Sequence, residues 1–166
     1  SGMVVQGTGL WGKIVLGGGI AKYGFTCGRQ VWYAAYAEPN RTAIIDDMGE
    51  ITYRGLRDDA QALARVFQSK GIGKKGRVGV MARNSRVIPM VLAAKAYSGA
   101  SIYLLNVASS PSQLQELIRE HHLDAVFVDE EFGQHLPAEW NECEVFIAHA
   151  EDLQNPQGAN PQWKSF

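Results

Sequence analysis

The sequence lacks an excess of charge of either sign. Its 166 residues include 16 lysines and arginines against 17 aspartates and glutamates, which gives a formal net charge of −1. A nucleic-acid-binding domain needs a basic face, so we expect no nucleic-acid partner. No apolar run approaches the roughly 20 residues that span a bilayer. The first residues also lack the basic start and long apolar core of a signal peptide. We therefore expect neither a membrane-spanning nor a secreted protein.

Cysteine is also scarce. Cys27 and Cys143 are the only two, and their separation matches neither a zinc site nor a redox motif. No serine stands in the G-x-S-x-G pattern of a nucleophile elbow. The composition predicts a reduced, cytoplasmic protein. Neither thiol has an evident base to activate it, so we expect both to be inert packing residues.

Four histidines raise the question of a metal site. His121 and His122 are adjacent, and neighbouring residues of a helix point about 100° apart, so the two do not share one ion easily. Residues 129–131 are acidic, at a place where the amino terminus of a helix favours negative charge. Capping and surface roles explain these residues better, and the sequence predicts no metal site.

The segment Arg77–Asn106 is the centre of the predicted fold. A short apolar strand at residues 78–81 is followed by a polar break, an apolar helix at 87–97 and a second strand at 102–105. Lys95 is the only charge in that helix, so most of its surface must be covered. A strand, a helix and a strand at this spacing indicate a βαβ crossover, which requires a parallel sheet.

Local signals predict the remaining elements. Ser110 begins a helix, with Pro111 at its first position and Gln113 closing a capping box. Gly71 follows an amphipathic helix as its left-handed cap. The further elements are a first helix at 26–36, a hairpin with its turn at 47–49, the amphipathic helix carrying Leu56, Ala60, Leu63 and Phe67, a short helix at 130–136, and strands at 125–128 and 145–148.

These elements predict an α/β fold, with a mostly parallel open sheet covered by helices on both faces. The N-terminal β-hairpin and the first helix are expected to pack on one edge of the sheet. The fold is expected to occupy residues 26–150, between a glycine-rich arm at residues 1–25 and an irregular tail at residues 151–166.

The arm contains the dinucleotide pattern G-x-G-x-x-G between Gly7 and Gly12. Its context is wrong, because residues 17–19 are glycines that would break the following helix and no acidic residue stands about 20 positions later. We favour an arm that packs on a neighbouring molecule. The alternative is a helix on a membrane surface, which would make the protein membrane-peripheral.

The segment Gly71–Arg77 is glycine-rich and basic, but it does not fit a phosphate-binding loop. That motif requires a lysine and then a serine or threonine after its second conserved glycine, and Arg77 and Val78 follow Gly76 here. The segment also precedes a strand, whereas a phosphate loop opens a helix. We interpret it as a solvated turn.

Polar residues follow the two central strands. Asn84 and Ser85 come after the first strand, and Asn106 and Ser109 come after the second. Ligands of open parallel sheets collect beyond the carboxyl ends of the strands, so these four residues are our candidates for substrate binding. Ordinary turn and cap chemistry explains the same residue types, and we give that explanation more weight.

Several segments resemble, in their order along the chain, the N-terminal portion of the adenylate-forming enzymes, within the acyl-CoA synthetases. The resemblance covers about residues 26–148. From Leu105 to Phe132 the chain is most similar to the long-chain fatty-acyl branch. The segments are residues 38–43, the hairpin, residues 51–56, the helix ending in residues 71–73, and residues 77–80, 83–85, 93–100 and 105–106.

The resemblance implies that a carboxylic acid is activated with ATP and Mg to an acyl-adenylate and then transferred to the thiol of CoA. The family's phosphate loop, its acidic ribose partner and its C-terminal lysine have no match in this chain. We therefore predict no catalytic residue here, and a scaffold that is inactive alone. Gly55, Leu104 and Ala108 depart from the family pattern, and Ala108 puts CoA contact by this segment in doubt.

The leading hypothesis is an N-terminal fragment of a fatty-acid–CoA ligase. The alternative is a stand-alone binding or interaction module of the same fold without chemistry. A dinucleotide-binding domain is a third and weaker option. Because a surface made for absent domains would be apolar, we also predict that the chain associates with itself.

Overall fold

The computed structural model describes residues 27–137, 139–148 and 164–165. The elements predicted from the sequence are present, with bounds that differ by a few residues. In chain order they are α1 (Cys27–Ala37), β1 (Thr42–Asp46), β2 (Gly49–Thr52), α2 (Tyr53–Ser69), β3 (Arg77–Met81), α3 (Val87–Ser98), β4 (Ser101–Leu104), α4 (Pro111–Glu120), β5 (Ala125–Asp129), α5 (Glu130–Gly133), β6 (Glu144–Ala148) and β7 (Lys164–Ser165).

A parallel sheet forms the centre of the molecule. Its strand order is β4-β3-β5-β6-β7, and β1 and β2 form a separate antiparallel hairpin. The chain moves outward from β3 to β4 and then returns across β3 to β5. The strand order therefore reverses between β3 and β5, which is the switch point of a doubly wound sheet. The α/β fold with a parallel sheet and a hairpin is confirmed.

Helices cover both faces of this sheet. Residues of a strand point alternately to opposite faces, so each central strand contributes to two cores. One core lies under α2 and α3 and includes Val80, Phe127 and Phe146. The other lies under α4 and α5 and includes Val126 and Val128. The alternation explains why all five residues of β5 are buried.

The first helix corrects one expectation from the sequence. It was expected on an edge of the sheet with the hairpin, but α1 packs on α2 and α3, and the hairpin contacts α2. Gly28 permits this close crossing, since a Cβ atom there would lie 2.3 Å from the Cβ of Ala96 and 2.8 Å from the carbonyl oxygen of Ala93. The helix therefore forms an outer layer over other helices.

The helix ends follow the local signals. Gly71 has a φ of +74°, and the N–H of Ile72 donates to the carbonyl of Phe67 at 2.8 Å, as in a left-handed cap. At the start of α4, Ser110 and Gln113 form both bonds of the capping box. Thr52 at the start of α2 accepts from the N–H of Gly55 at 3.2 Å. Gly55 has no side chain that could accept from the N–H of Thr52, so the capping box of α2 lacks its second hydrogen bond.

Two predicted regions lie wholly or mostly outside the described residues. The arm at residues 1–25 is not described at all. Of the tail at residues 151–166, only Lys164–Ser165 is described, and these two residues pair in parallel with β6 as the strand β7. They are a strand rather than the irregular chain expected there. Within the described residues, no helix is long and apolar enough to cross a membrane.

Candidate functional site

The carboxyl ends of the parallel strands meet at one edge of the sheet, which we call the rim. The rim comprises the loop Ala82–Arg86 after β3, the loop 105–110 after β4 and the start of α5 after β5. The N–H of Leu105 donates to the carbonyl of Val80 at 2.8 Å, so the chain leaves β3 and β4 side by side. All four candidate residues from the sequence lie on the rim, and both loops begin at neighbouring positions.

The hydrogen bonds of these residues are those of turns and caps. The Oγ of Ser85 accepts from the N–H of Val87 at 3.3 Å, at the start of α3. The Oδ1 of Asn106 accepts from the N–H of Ala108 at 2.9 Å, and its carbonyl accepts from the N–H of Ser109 at 3.0 Å. Asn84 is exposed. Substrate binding by these four residues stays a prediction.

Arg83 bridges the switch point between β3 and β5. Its backbone N–H donates to Oδ2 of Asp129 at 2.7 Å. Its guanidinium forms two hydrogen bonds with the carboxylate of Glu131, one of them from Nη2 to Oε2 at 2.8 Å, and lies 5.6 Å from the ring centroid of Phe132. The hydrogen bonds from Arg83 lower the pKa of the Glu131 carboxyl. Asp129 is buried, whereas the ion pair between Arg83 and Glu131 is exposed to solvent.

These bridging residues were missed as site residues in the sequence. Residues 129–131 were interpreted as acids at a helix start, and Arg83 was given no role of its own. The signal that finds them is the strand order, because ligands of such sheets bind where the order reverses. Strand order depends on contacts between segments 46 residues apart, and no local pattern encodes it.

A second bridge joins the rim to the hairpin. Arg86 Nη2 donates to Asp46 Oδ1 at 2.6 Å, Nε donates to Oδ2 at 2.9 Å, and the backbone N–H of Arg86 donates to Oδ2 at 2.9 Å. Nη2 also donates to the carbonyl of Gly49 at 2.9 Å. The Asp46 side chain is 5% exposed and that of Arg86 is 17% exposed. The hydrogen bonds from Arg86 outweigh the cost of burial and hold the pKa of Asp46 well below its usual range.

The described residues do not fit an ATP–Mg site. Both rim arginines are bound to carboxylates, which occupy the groups that a phosphate would need. The turn Gly71–Arg77 leads into β3 from the opposite edge of the sheet. In the part of the chain that the structure describes, no three His, Cys, Asp or Glu side chains are placed to hold a metal ion.

A cavity of about 420 Å³ lies near the amino ends of the strands, opposite the rim, and is lined in part by Arg119, Asp124 and Glu142. Arg119 is paired with Glu142 through a two-bond fork and lies 5.3 Å from the ring centroid of Trp140. Nearby, the Trp140 N–H donates to Sγ of Cys143 at 3.4 Å. Burial raises the pKa of the Cys143 thiol to about 11, which keeps it protonated and unreactive near neutral pH.

Comparisons with known proteins agree with this architecture. A model of the AMP-binding enzyme family matches residues 31–164. The acyl-CoA ligase sidI of Aspergillus fumigatus is 33% identical over 84 residues, which are 51% of this chain and 14% of that protein. The nonribosomal peptide synthetase ecdA of Aspergillus rugulosus is 27% identical over 97 residues, which are 58% of this chain and 1% of that protein.

Solved structures share the fold. A benzoate CoA ligase from Burkholderia xenovorans LB400 has a TM-score of 0.68 with this chain at 20% identity, covering 74% of this chain and 26% of that one. The chain thus spans a small part of the length of each of these three proteins. The family match also runs beyond residue 148, where the resemblance expected from the sequence ended.

Proposed function

The chain belongs to the AMP-binding enzyme family, and we propose that it is the N-terminal framework of an adenylate-forming ligase that activates a carboxylic acid with ATP. The observation that carries this proposal is the family match over residues 31–164, on a parallel sheet with an open rim. The match covers most of this chain but 14% of the acyl-CoA ligase and 26% of the benzoate ligase. A framework that is completed by further polypeptide explains why the match covers most of this chain but only a small part of those two ligases.

The finer proposal is a fatty-acid–CoA ligase. It is supported by the 33% identity to an acyl-CoA ligase and by the resemblance of residues 105–132 to the fatty-acyl branch. In this proposal ATP, Mg, the fatty acid and CoA are bound by the larger enzyme, and the present residues supply the wall of the site. The 166-residue chain is then inactive alone, because its rim arginines are held by carboxylates and it carries no phosphate loop.

The test is acid-dependent release of pyrophosphate. The coding sequence is read and expressed beyond Phe166, and that product is compared with the 166-residue chain in the presence of Mg-ATP and a fatty acid. We expect release from the longer protein and none from the shorter. Release from the shorter chain would contradict the proposal, and a stop codon directly after Phe166 would favour the stand-alone module.

A second candidate is the activation of an acid other than a fatty acid. The matches to a nonribosomal peptide synthetase and to the fold of a benzoate CoA ligase favour it. The two candidates differ in the acid that supports pyrophosphate release. A panel of fatty acids, benzoate and amino acids offered to the longer protein separates them, and release with amino acids alone would replace the fatty-acid proposal.

Self-association of the isolated chain remains part of the proposal. Three large apolar side chains are exposed, Ile45 at 72%, Met48 at 60% and Leu104 at 62%. Ile45 and Met48 belong to the hairpin that is tied to the rim, where further polypeptide is expected to cover the molecule. Light scattering is the measurement, and a monomer at high concentration would contradict it.

A further inference from the structure

The helix α3 begins at the rim, and the residue directly before it does not cap it. Its first residue is Val87, and Arg86 before it makes no side-chain cap bond within the helix. The free N–H groups of a helix start need acceptors. Two are supplied: Ser85 accepts from Val87, and Asp46 accepts from the backbone N–H of Arg86. Asp46 lies 40 residues earlier in the chain, so the hairpin caps this helix from a distance.

The same carboxylate also binds the Arg86 side chain. Oδ1 accepts a hydrogen bond from Nη2 of Arg86 at 2.6 Å, and Oδ2 accepts one from Nε at 2.9 Å. Oδ1 also accepts a hydrogen bond from the N–H of Met48 in the hairpin turn at 3.1 Å. Bonds to a charged carboxylate are stronger than neutral ones. Both side chains are well shielded, whereas in the Arg83–Glu131 pair the side chains are 65% and 45% exposed. This bridge is therefore screened less by water and salt than the Arg83–Glu131 pair.

The rim loop is therefore fixed at both ends. At its first end, the N–H of Arg83 is bound by Asp129 after β5. At its last end, Arg86 is bound by Asp46 of the hairpin. Asn84 and Ser85 lie between these two anchors, and Arg83 reaches across the switch point toward Glu131. A shift of the hairpin would move the second anchor and with it the loop that borders the switch point.

We propose that Asp46 and Arg86 are positioning residues, through which the hairpin sets the conformation of the rim loop Ala82–Arg86. The pair touches no reacting atom in this account and acts through the loop. The functional meaning rests on the proposed function, in which the rim borders the acid or CoA site. The structural coupling between hairpin and loop stands without it.

Amide hydrogen exchange of the 166-residue chain tests the coupling. In Asp46→Asn, which keeps the shape of the side chain and removes its charge, we expect exchange at Arg83 and Val87, whose N–H groups are hydrogen-bonded at either end of the loop, to accelerate about tenfold or more. Exchange at Phe127 in the sheet should change much less. Arg86→Gln should give the same pattern, and Asp47→Asn, the same change of charge on an exposed neighbour, should leave the loop unchanged.

Each outcome decides the inference. Acceleration confined to the loop and the hairpin supports it. Equal acceleration at the loop and in the sheet would mean general destabilisation and overturn it, as would an unchanged loop. In the longer protein, Asp46→Asn is expected to alter the KM for the acid or for CoA at least severalfold. Absence of pyrophosphate release from that unaltered protein would reject the proposed function and leave the exchange result valid.

Discussion

The interior of the sheet and its rim are held by different interactions. In the interior, Phe127 stacks on Phe146 with ring centroids 4.7 Å apart, and Phe67 meets it edge-on at 5.9 Å. At the rim, the chain is held by carboxylates that bind Arg83 and Arg86 across 46 and 40 residues of sequence. The interior is held mainly by close packing of apolar side chains, and the rim is held mainly by hydrogen bonds between charged groups.

This difference separates the framework from the candidate site. Close packing gives the interior a fixed shape that is insensitive to pH and salt. Charged bridges at the rim are directional and sensitive to both. A framework that supports a site needs both properties, because the loops at the site must be oriented by specific contacts and not by bulk packing. Four substitutions test this contrast, in order of decreasing effect.

The largest effect is expected from Phe127→Ala. Phe127 is 0% exposed and is in contact with two other rings, so its removal should lower the free energy of unfolding by about 3 to 5 kcal/mol. Urea denaturation measures this loss, which should be the same at pH 7 and pH 5. Ile45→Ala, at a site that is 72% exposed, is the control and should cost far less. A small loss at Phe127 would mean that the interior is loosely packed.

Gly28→Ala tests the crossing of α1 over α3. The added methyl would lie 2.3 Å from the Cβ of Ala96 and 2.8 Å from a backbone oxygen, neither of which can move aside cheaply. We expect a loss of about 3 kcal/mol, even though alanine favours helix. At Gly73 a methyl would meet nothing within 4 Å. Gly73→Ala should therefore be neutral in the same denaturation experiment, and equal costs at both positions would refute the close crossing.

Asp46→Asn tests the charge dependence of the rim and should cost about 1 kcal/mol at pH 7, a loss that accelerates globally exchanging amides only about fivefold. The folded-state pKa of Asp46 lies below its unfolded value, so the stability that it contributes is fully present above about pH 5. As the pH falls, the unfolded chain takes up the proton first, and the contribution declines. The difference between the two proteins should therefore shrink between pH 5 and lower pH. A constant difference over this range would show that charge is not the cause.

The smallest effect is expected from Glu131→Gln, which breaks the outer bridge to Arg83. Both side chains are largely exposed, and exposed ion pairs contribute little because water and salt screen them. The midpoint of urea denaturation should hardly move, and the small difference should vanish in about 1 M salt. A loss as large as that of Asp46→Asn would remove the distinction between the two bridges.

Local patterns predicted the framework well. The cap at Gly71, the capping box at Ser110 and the crossover around α3 are each encoded within a few residues, and each was found in the structure. The position of α1 was wrong, because it depends on the fit of Gly28 against two alanines far away in sequence. The bridges of Arg83 and Arg86 were missed because they too join residues that are far apart in sequence.

We propose that this chain supplies a framework whose nucleotide-binding groups belong to further polypeptide. Titration calorimetry of the 166-residue chain with Mg-ATP tests it most directly, with the longer protein measured alongside. We predict saturable binding to the longer protein and none to the shorter one. Saturable binding of ATP by the 166 residues alone, lost on substitution of one of their own side chains, would contradict the claim.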